Sequence, residues 1–167
     1  MLGDLTISNG LGWSPDGRTM YLVDSGPRVV LAFTFDPGRG AISEGRVLIT
    51  VAEELGAPDG MTVDAGGDLW VAIYGGGRLH HYSPEGELRR AIPVPAEQTT
   101  CCVFAGADLN VLYVTTATEN RSEEERRADP TAGLVYRCDP GAIGLPAAPF
   151  RPDRDSWREV TARASTT

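Results

Sequence analysis

Two short polar motifs, 50 residues apart, carry oxygen atoms that could bind a metal ion. The first is Asn9-Gly10 and the second is Asp59-Gly60. Amide and carboxylate oxygens are the ligands that hard divalent cations such as calcium and magnesium prefer, provided that the fold brings them together. Asn-Gly and Pro-Asp-Gly are also common turn sequences, in which Asn or Asp bonds to its own backbone. From these residues alone, both interpretations are open.

The two motifs belong to a longer internal repeat. A shift of 50 residues aligns Gly10 with Gly60, Gly17 with Gly67, Gly26 with Gly76, and Arg28 with Arg78, without a gap. In each copy, two β-rich runs flank an Asp-Gly or Gly-Gly turn, which is a strong hairpin signal, and two further strands follow. A third, looser copy begins near Thr99. It carries an insertion, residues 117–133, whose Glu and Arg residues predict a solvated turn or short helix.

This repeat predicts an all-β fold. Repeats of about 40 to 50 residues with four strands each are typical of β-propeller blades. We therefore expect a partial β-propeller, with about three four-stranded blades, over residues 1–150, and a polar C-terminal tail over residues 151–167. In a propeller the innermost strands start at the central channel, where Asn9 and Asp59 would converge. Three blades do not close a ring, so open sheet edges and apolar blade faces are expected.

Composition argues against several classes of partner. The chain has 15 Lys and Arg against 23 Asp and Glu, a formal net charge of -8, so it lacks the positive field that nucleic acid or an anionic membrane attracts. No apolar run approaches the roughly 20 residues needed to cross a bilayer, and the first ten residues do not look like a signal peptide. A cytoplasmic location is the resulting expectation. The three cysteines, two of them adjacent at Cys101 and Cys102, fit reduced thiols better than a disulfide framework.

Four motifs, in this order, resemble one known family: S-N-G-L-x-W, P-D-G-M, D-x-x-G-x-L-W-V-A and T-T-x-C. Over residues 7 to about 149 the chain is similar to the second half of the regucalcin, gluconolactonase and luciferin-regenerating enzyme superfamily. Its members are six-bladed propellers that bind a divalent metal in the channel, and many hydrolyse sugar lactones or other cyclic esters.

The resemblance assigns roles to both motif residues. It implies that Asn9 binds the metal through its amide oxygen, and that Asp59 is both a metal ligand and the general base. One divalent cation is implied, with calcium favoured over zinc, magnesium and manganese. It would polarise the carbonyl of a small-molecule lactone while Asp59 takes a proton from the attacking water, as expected for a lactonase of the gluconolactonase type.

The sequence also departs from the family pattern. The family's metal-binding glutamate, and its substrate-contacting arginine and asparagine, lie in a first half that has no counterpart here. We therefore expect a truncated hydrolase that keeps two of three metal ligands, because of a shortened gene, an incomplete sequence or a late start codon. One alternative is a non-catalytic propeller fragment that binds a metal or a partner. Another is edge-to-edge association of two copies into a six-bladed ring. His80 and His81 are predicted to be surface strand residues without a metal role.

Overall fold

A computed structural model describes residues 3–147 and 149 of the chain, and residues 151–167, the predicted tail, lie outside the described residues. The described part is all-β apart from two short helices, as the repeat predicts. The 3-10 helix spans Glu53–Leu55, and α1 spans Glu123–Ala128. The strands are β1 (Ser8–Trp13), β2 (Thr19–Asp24), β3 (Val29–Asp36), β4 (Ala41–Thr50), β5 (Ala57–Val63), β6 (Leu69–Tyr74), β7 (Arg78–Tyr82), β8 (Leu88–Pro93), β9 (Thr99–Ala105), β10 (Val111–Thr116) and β11 (Val135–Cys138).

Each copy of the repeat forms one antiparallel sheet. The strand orders are β1-β2-β3-β4 in sheet 1, β5-β6-β7-β8 in sheet 2 and β9-β10-β11 in sheet 3. The four-stranded prediction holds for the first two copies but not for the third, which has three strands among the described residues. After β11 the chain runs back across the molecule, where Gly144 donates to the carbonyl of Leu109 at 2.8 Å and bridges to Asp64. Residues 139–147 therefore form no fourth strand beside β11.

The turn interpretation of the two motifs is wrong. Asn9-Gly10 and Asp59-Gly60 lie within β1 and β5, at points where the pairing register with the next strand shifts. The hairpin turns come later in each copy, at Gly17 with a φ of 67° and at Gly67 with a φ of 90°. These left-handed conformations are the ones that glycine adopts without strain.

Gly10 and Gly60 recur because neighbouring sheets meet backbone to backbone at their first strands. A Cβ atom on Gly10 would lie 2.6 Å from the carbonyl oxygen of Asp59 and 2.6 Å from the amide nitrogen of Met61. A Cβ on Gly60 would lie 2.5 Å from the Sγ of Cys101 and 2.7 Å from the carbonyl oxygen of Thr100. Only a residue without a side chain permits this approach, and the approach places Asn9 next to the strand that carries Asp59.

Two apolar layers hold the sheets together. The layer between sheets 1 and 2 and the layer between sheets 2 and 3 are clusters of buried side chains, which include Tyr21, Val30, Leu69 and Ile73 in the first, and Trp70, Leu79, Phe104 and Leu112 in the second. The outer faces of sheets 1 and 3 keep exposed apolar side chains, including Trp13 and Val135. Within the described residues the sheets do not close into a ring, in agreement with the expected open blade faces.

The insertion contains the short helix that its composition suggests. Helix α1 starts after Ser122, whose hydroxyl accepts a hydrogen bond from the Glu125 backbone, while the Glu125 carboxylate accepts one from the Ser122 backbone at 2.7 Å. Such reciprocal capping satisfies amide groups that the first helical turn leaves free. No helix in residues 3–147 is long and apolar enough to cross a bilayer.

Candidate functional site

Both predicted site residues line one cavity of about 340 Å³ at the end of the molecule where the first strands begin. Because the sheets are antiparallel, the ends of their second strands lie beside these starts, and residues there complete the wall. The lining residues are Ile7, Asn9, Ser25, Ala57, Pro58, Asp59, Tyr74 and Glu119. Two neighbouring sheets and the insertion thus contribute to the cavity.

Ser25 fixes the orientation of the Asn9 amide. The Ser25 hydroxyl donates its proton to the carbonyl oxygen of Pro58 at 2.7 Å, so toward Asn9 it can only accept. It accepts from the Asn9 Nδ2 at 3.3 Å. The amide oxygen of Asn9 therefore points away from Ser25 and is free for another partner. The same serine ties β1 to the residue that precedes Asp59 in β5.

Asp24 holds the segment that leads into β1. Its side chain, 3% exposed, accepts hydrogen bonds from the backbone amides of Ile7 at 2.8 Å and Thr6 at 3.0 Å. Burial opposes ionisation of this carboxyl, but the backbone N–H groups of Ile7, Thr6 and Gly26 outweigh burial and lower its pKa. A charged group at the end of β2 thus positions the chain immediately before Asn9.

Asp59 is half-buried, and its pKa is raised. Burial is the main cause, because desolvation disfavours the charged carboxylate. The Asn9 amide acts in the opposite direction, and the negative charge of Glu119 adds to the increase. A carboxylate with a raised pKa is a stronger base than an ordinary aspartate.

Tyr74 and Glu119 are site residues that the sequence analysis did not identify. Tyr74 ends β6, and its hydroxyl donates to the Glu119 Oε2 at 3.4 Å. Glu119 belongs to the insertion, three residues after β10 ends. A sequence signal did exist, because Ser25, Tyr74 and Glu119 all stand at or just after the end of a second strand. In an antiparallel sheet, the end of the second strand lies beside the start of the first strand.

Another group of possible metal ligands lies at the opposite end of β5. Among the described residues, Asp64, Asp68 and His81 bring ligand atoms within 4.8 Å of one another. The Asp64 oxygens, however, already accept from the Trp70 indole at 2.9 Å and from two backbone amides, while Asp68 pairs with His81 at 2.8 Å and with Arg89 at 3.1 Å. These bonds use the oxygens that an ion would need, so the cluster is explained as a structural network.

The prediction that His80 and His81 lie on the surface is wrong. His80 is 2% exposed and bonds to the Tyr82 hydroxyl at 2.7 Å, and His81 is 9% exposed and stacks on Trp70 with ring centroids 4.1 Å apart. Sheet 2 lies between the other two sheets, so side chains on both faces of β7 are covered. Burial and the charge of Arg78 lower the pKa of His80, which favours a neutral core histidine.

Comparison with known proteins identifies the family. The model of the SMP-30/Gluconolactonase/LRE-like region matches residues 1–118. The chain belongs to this family. Regucalcin from Xenopus laevis is 40% identical over 132 residues, which are 78% of this chain and 44% of regucalcin. A candidate sugar lactone lactonase, YvrE from Bacillus subtilis, is 38% identical over 150 residues, 89% of this chain and 51% of YvrE.

A solved structure gives the same relationship for this member of the SMP-30/gluconolactonase family. The calcium-binding protein regucalcin from Agrobacterium tumefaciens superposes with a TM-score of 0.84 at 31% identity, over 89% of this chain and 51% of that one. The chain thus spans about half the length of the relatives that it matches. The propeller-like sheets and the family resemblance of the four motifs are confirmed, while the roles of Asn9 and Asp59 stay predictions.

Proposed function

We propose that the cavity around Asn9 and Asp59 binds one divalent cation and hydrolyses a lactone, a sugar lactone or a related cyclic ester. The observation that carries this proposal is the convergence of an amide and a carboxylate from adjacent sheets on one cavity, in a chain of the SMP-30/gluconolactonase family. The relative named as a candidate sugar lactone lactonase supports lactone hydrolysis, and the solved structure named as a calcium-binding regucalcin supports the cation.

The donor chemistry fits a hard divalent cation. Asn9 offers an amide oxygen that Ser25 leaves free, and Asp59 offers a carboxylate. Calcium prefers about six to eight oxygen ligands, so water or substrate oxygens would complete the shell in this chain. Calcium is our first choice, and zinc, magnesium and manganese are the alternatives. The negative charge of Glu119 near Asp59 further favours a cation in the cavity.

Asp59 is the base in the proposed reaction. When bound, a divalent cation supplies polarisation of the lactone carbonyl and makes a nearby water more acidic. The Asp59 carboxylate accepts a proton from the water as its oxygen attacks the carbonyl carbon. The ring C–O bond then breaks, and protonated Asp59 returns the proton to the leaving ring oxygen, which yields a hydroxy acid. Asn9, held by Ser25, keeps its oxygen in place throughout.

We further propose that the three sheets are blades of a six-bladed propeller. Three observations support this architecture: the 50-residue repeat that relates Gly10 to Gly60, the face-to-face packing of the sheets and the similarity to regucalcin. Association of two copies through their open edges stays a prediction. It requires a dimer of defined mass in light scattering, and a folded monomer at all concentrations would contradict it.

The test measures cation binding and turnover together. The full chain is titrated with calcium, and then with zinc, in a calorimeter, and lactone hydrolysis is followed as acid release from glucono-δ-lactone above the spontaneous rate. Asp59→Asn should lose both, because the neutral amide is a weaker ligand and cannot take the proton. Asp108→Asn, in an exposed hairpin loop, is the matched control. Equal binding and turnover in Asp59→Asn and wild type would refute the proposal.

Cation binding without turnover is the alternative function. It is favoured by the small number of proposed cation ligands, Asn9 and Asp59, among the described residues that line this open cavity. This alternative predicts saturable calcium binding that Asp59→Asn abolishes, together with acid release no faster than the spontaneous rate.

A further inference from the structure

Glu119 is held over the cavity by the residue that precedes β9. The Gln98 side-chain amide donates to the Glu119 backbone carbonyl at 2.9 Å, and the Gln98 backbone carbonyl accepts from the Ala117 amide at 2.9 Å. Gln98 also forms a β-bridge with Tyr74. One glutamine therefore fixes the backbone at Ala117 and at Glu119 itself, and joins it to the strand end that carries Tyr74.

Two ion pairs of Arg121 hold the rest of the insertion in place. The Arg121 guanidinium, 14% exposed, bonds to the Glu97 carboxylate at 2.7 Å and to the Asp129 carboxylate at 2.8 Å. Thr131 bonds to the Pro95 carbonyl at 3.1 Å. The insertion is thereby fastened to the segment before β9 at several points, so Glu119 occupies a defined position on the wall of the cavity.

The pair formed by Tyr74 and Glu119 is suited to binding hydroxyl groups. With one oxygen engaged by the Tyr74 hydroxyl, the Glu119 carboxylate keeps free acceptor positions, and the tyrosine oxygen can still accept one hydrogen bond. Neighbouring hydroxyls on a ring are donors that such a pair can accept together. Glu119 follows β10 and Tyr74 ends β6, whereas Asp59 lies in β5, so the pair and Asp59 reach the cavity from different elements.

We propose that Glu119 and Tyr74 are specificity residues that accept hydrogen bonds from the ring hydroxyls of a polyhydroxylated lactone. The inference rests on the proposed function, since it assumes that the lactone carbonyl lies near Asp59. The insertion then has a defined role, which is to carry the hydroxyl-binding carboxylate to the cavity. An unsubstituted lactone would lack these contacts.

The test uses two lactams that resemble the lactones but resist hydrolysis. Glucono-δ-lactam carries ring hydroxyls and δ-valerolactam does not. The full chain, saturated with calcium, is titrated with each lactam as wild type, Glu119→Gln, Tyr74→Phe and the control Glu124→Gln, which changes an exposed carboxylate on α1. Wild type should prefer the hydroxylated ring, and Glu119→Gln should reduce that preference about tenfold, the effect of one charge-assisted hydrogen bond. Tyr74→Phe should reduce it less, and Glu124→Gln should leave it unchanged.

Four results would overturn the inference. Wild type could show no preference for the hydroxylated ring, Glu119→Gln could weaken both lactams equally, or Glu119→Gln could keep the full preference. A loss of calcium affinity in Glu119→Gln comparable to that in Asp59→Asn would instead make Glu119 a cation ligand and would also overturn it. A lactone hydrolysis assay separates this inference from the proposed function. Selective lactam binding without lactone hydrolysis refutes turnover alone. Lactone hydrolysis without selective lactam binding refutes only the role of Glu119 and Tyr74.

Discussion

Replacing Gly10 with alanine should force the first two sheets apart at the cavity. The new methyl group would meet the Asp59 carbonyl oxygen and the Met61 amide nitrogen, each at 2.6 Å, and the Met61 Cγ at 2.8 Å. The two nearest atoms belong to the backbone of β5, so no side-chain rotation can relieve the contact. The substitution therefore acts on the junction that sets the distance between Asn9 and Asp59.

The expected cost follows from overpacking. An added methyl that displaces a packed backbone costs about 2 kcal/mol, within the usual range for an overfilled core. For a chain of this size, that cost corresponds to a decrease of about 4 to 8 °C in the melting temperature. Movement of β1 relative to β5 should also separate the Asn9 and Asp59 oxygens, so calcium affinity should fall along with stability.

Thermal unfolding and calorimetric calcium titration of Gly10→Ala provide the assay. Gly3→Ala is the matched control, because a Cβ there would meet nothing within 4 Å. The control should unfold at the wild-type temperature and bind calcium normally. If Gly10→Ala is as stable as Gly3→Ala and binds calcium equally well, the close approach of β1 and β5 does not exist as described, and the explanation of the repeated glycines fails.

Two further substitutions test the supports of Asn9. Ser25→Ala should lower calcium affinity about tenfold, because Asn9 loses the acceptor that orients it. Ser43→Ala on β4 should have no effect. Equal calcium affinities in the two variants would refute the orienting role of Ser25. Asp24→Asn should destabilise the protein by about 2 kcal/mol at pH 7, because the charged acceptor of two backbone amides is lost. The pKa of Asp24 is lowered in the folded state, so its contribution to the free energy of unfolding is complete above the unfolded pKa of about 3.9 and disappears as pH falls through the folded pKa. A difference in the free energy of unfolding between wild type and Asp24→Asn that persists undiminished in strong acid would contradict this assignment.

The fold was readable from the sequence because its constraints repeat. The turn glycines Gly17 and Gly67 recur at a constant spacing because the left-handed backbone excludes most other residues there. Gly10 and Gly60 recur because neighbouring strands leave no room for a side chain, and the repeat spacing alone does not distinguish this cause from a turn. The sequence therefore locates Asn9 and Asp59 at equivalent repeat positions but does not distinguish a turn from a strand at either motif.

The position of the remaining cavity residues, at the ends of second strands, was readable from the sequence, but their chemistry was not, because the residue types there do not repeat. Offset by 50 residues, Ser25 aligns with Gly75 and Asp24 with Tyr74, so the chemistry at the ends of the second strands differs between copies. Glu119 lies in an insertion that the other copies lack. The burial of His81 depends on sheet 2 being the middle sheet, which is a property of the tertiary arrangement rather than of β7 itself.

The same repeat position also explains why the described residues supply only two oxygens in the proposed cation site. Gly60 meets the carbonyl oxygen of Thr100 as Gly10 meets the carbonyl oxygen of Asp59, so Thr100 on β9 is the counterpart of Asp59. The Thr100 hydroxyl, however, is engaged with the Thr115 hydroxyl at 2.7 Å. The Thr100 hydroxyl therefore links β9 to β10 within sheet 3. The side chain that this sheet contributes to the cavity is Glu119, beyond the end of β10. Among the described residues, the ligands proposed for a cation, Asn9 and Asp59, thus come from sheets 1 and 2, and the third sheet contributes to the cavity through the segment that follows β10.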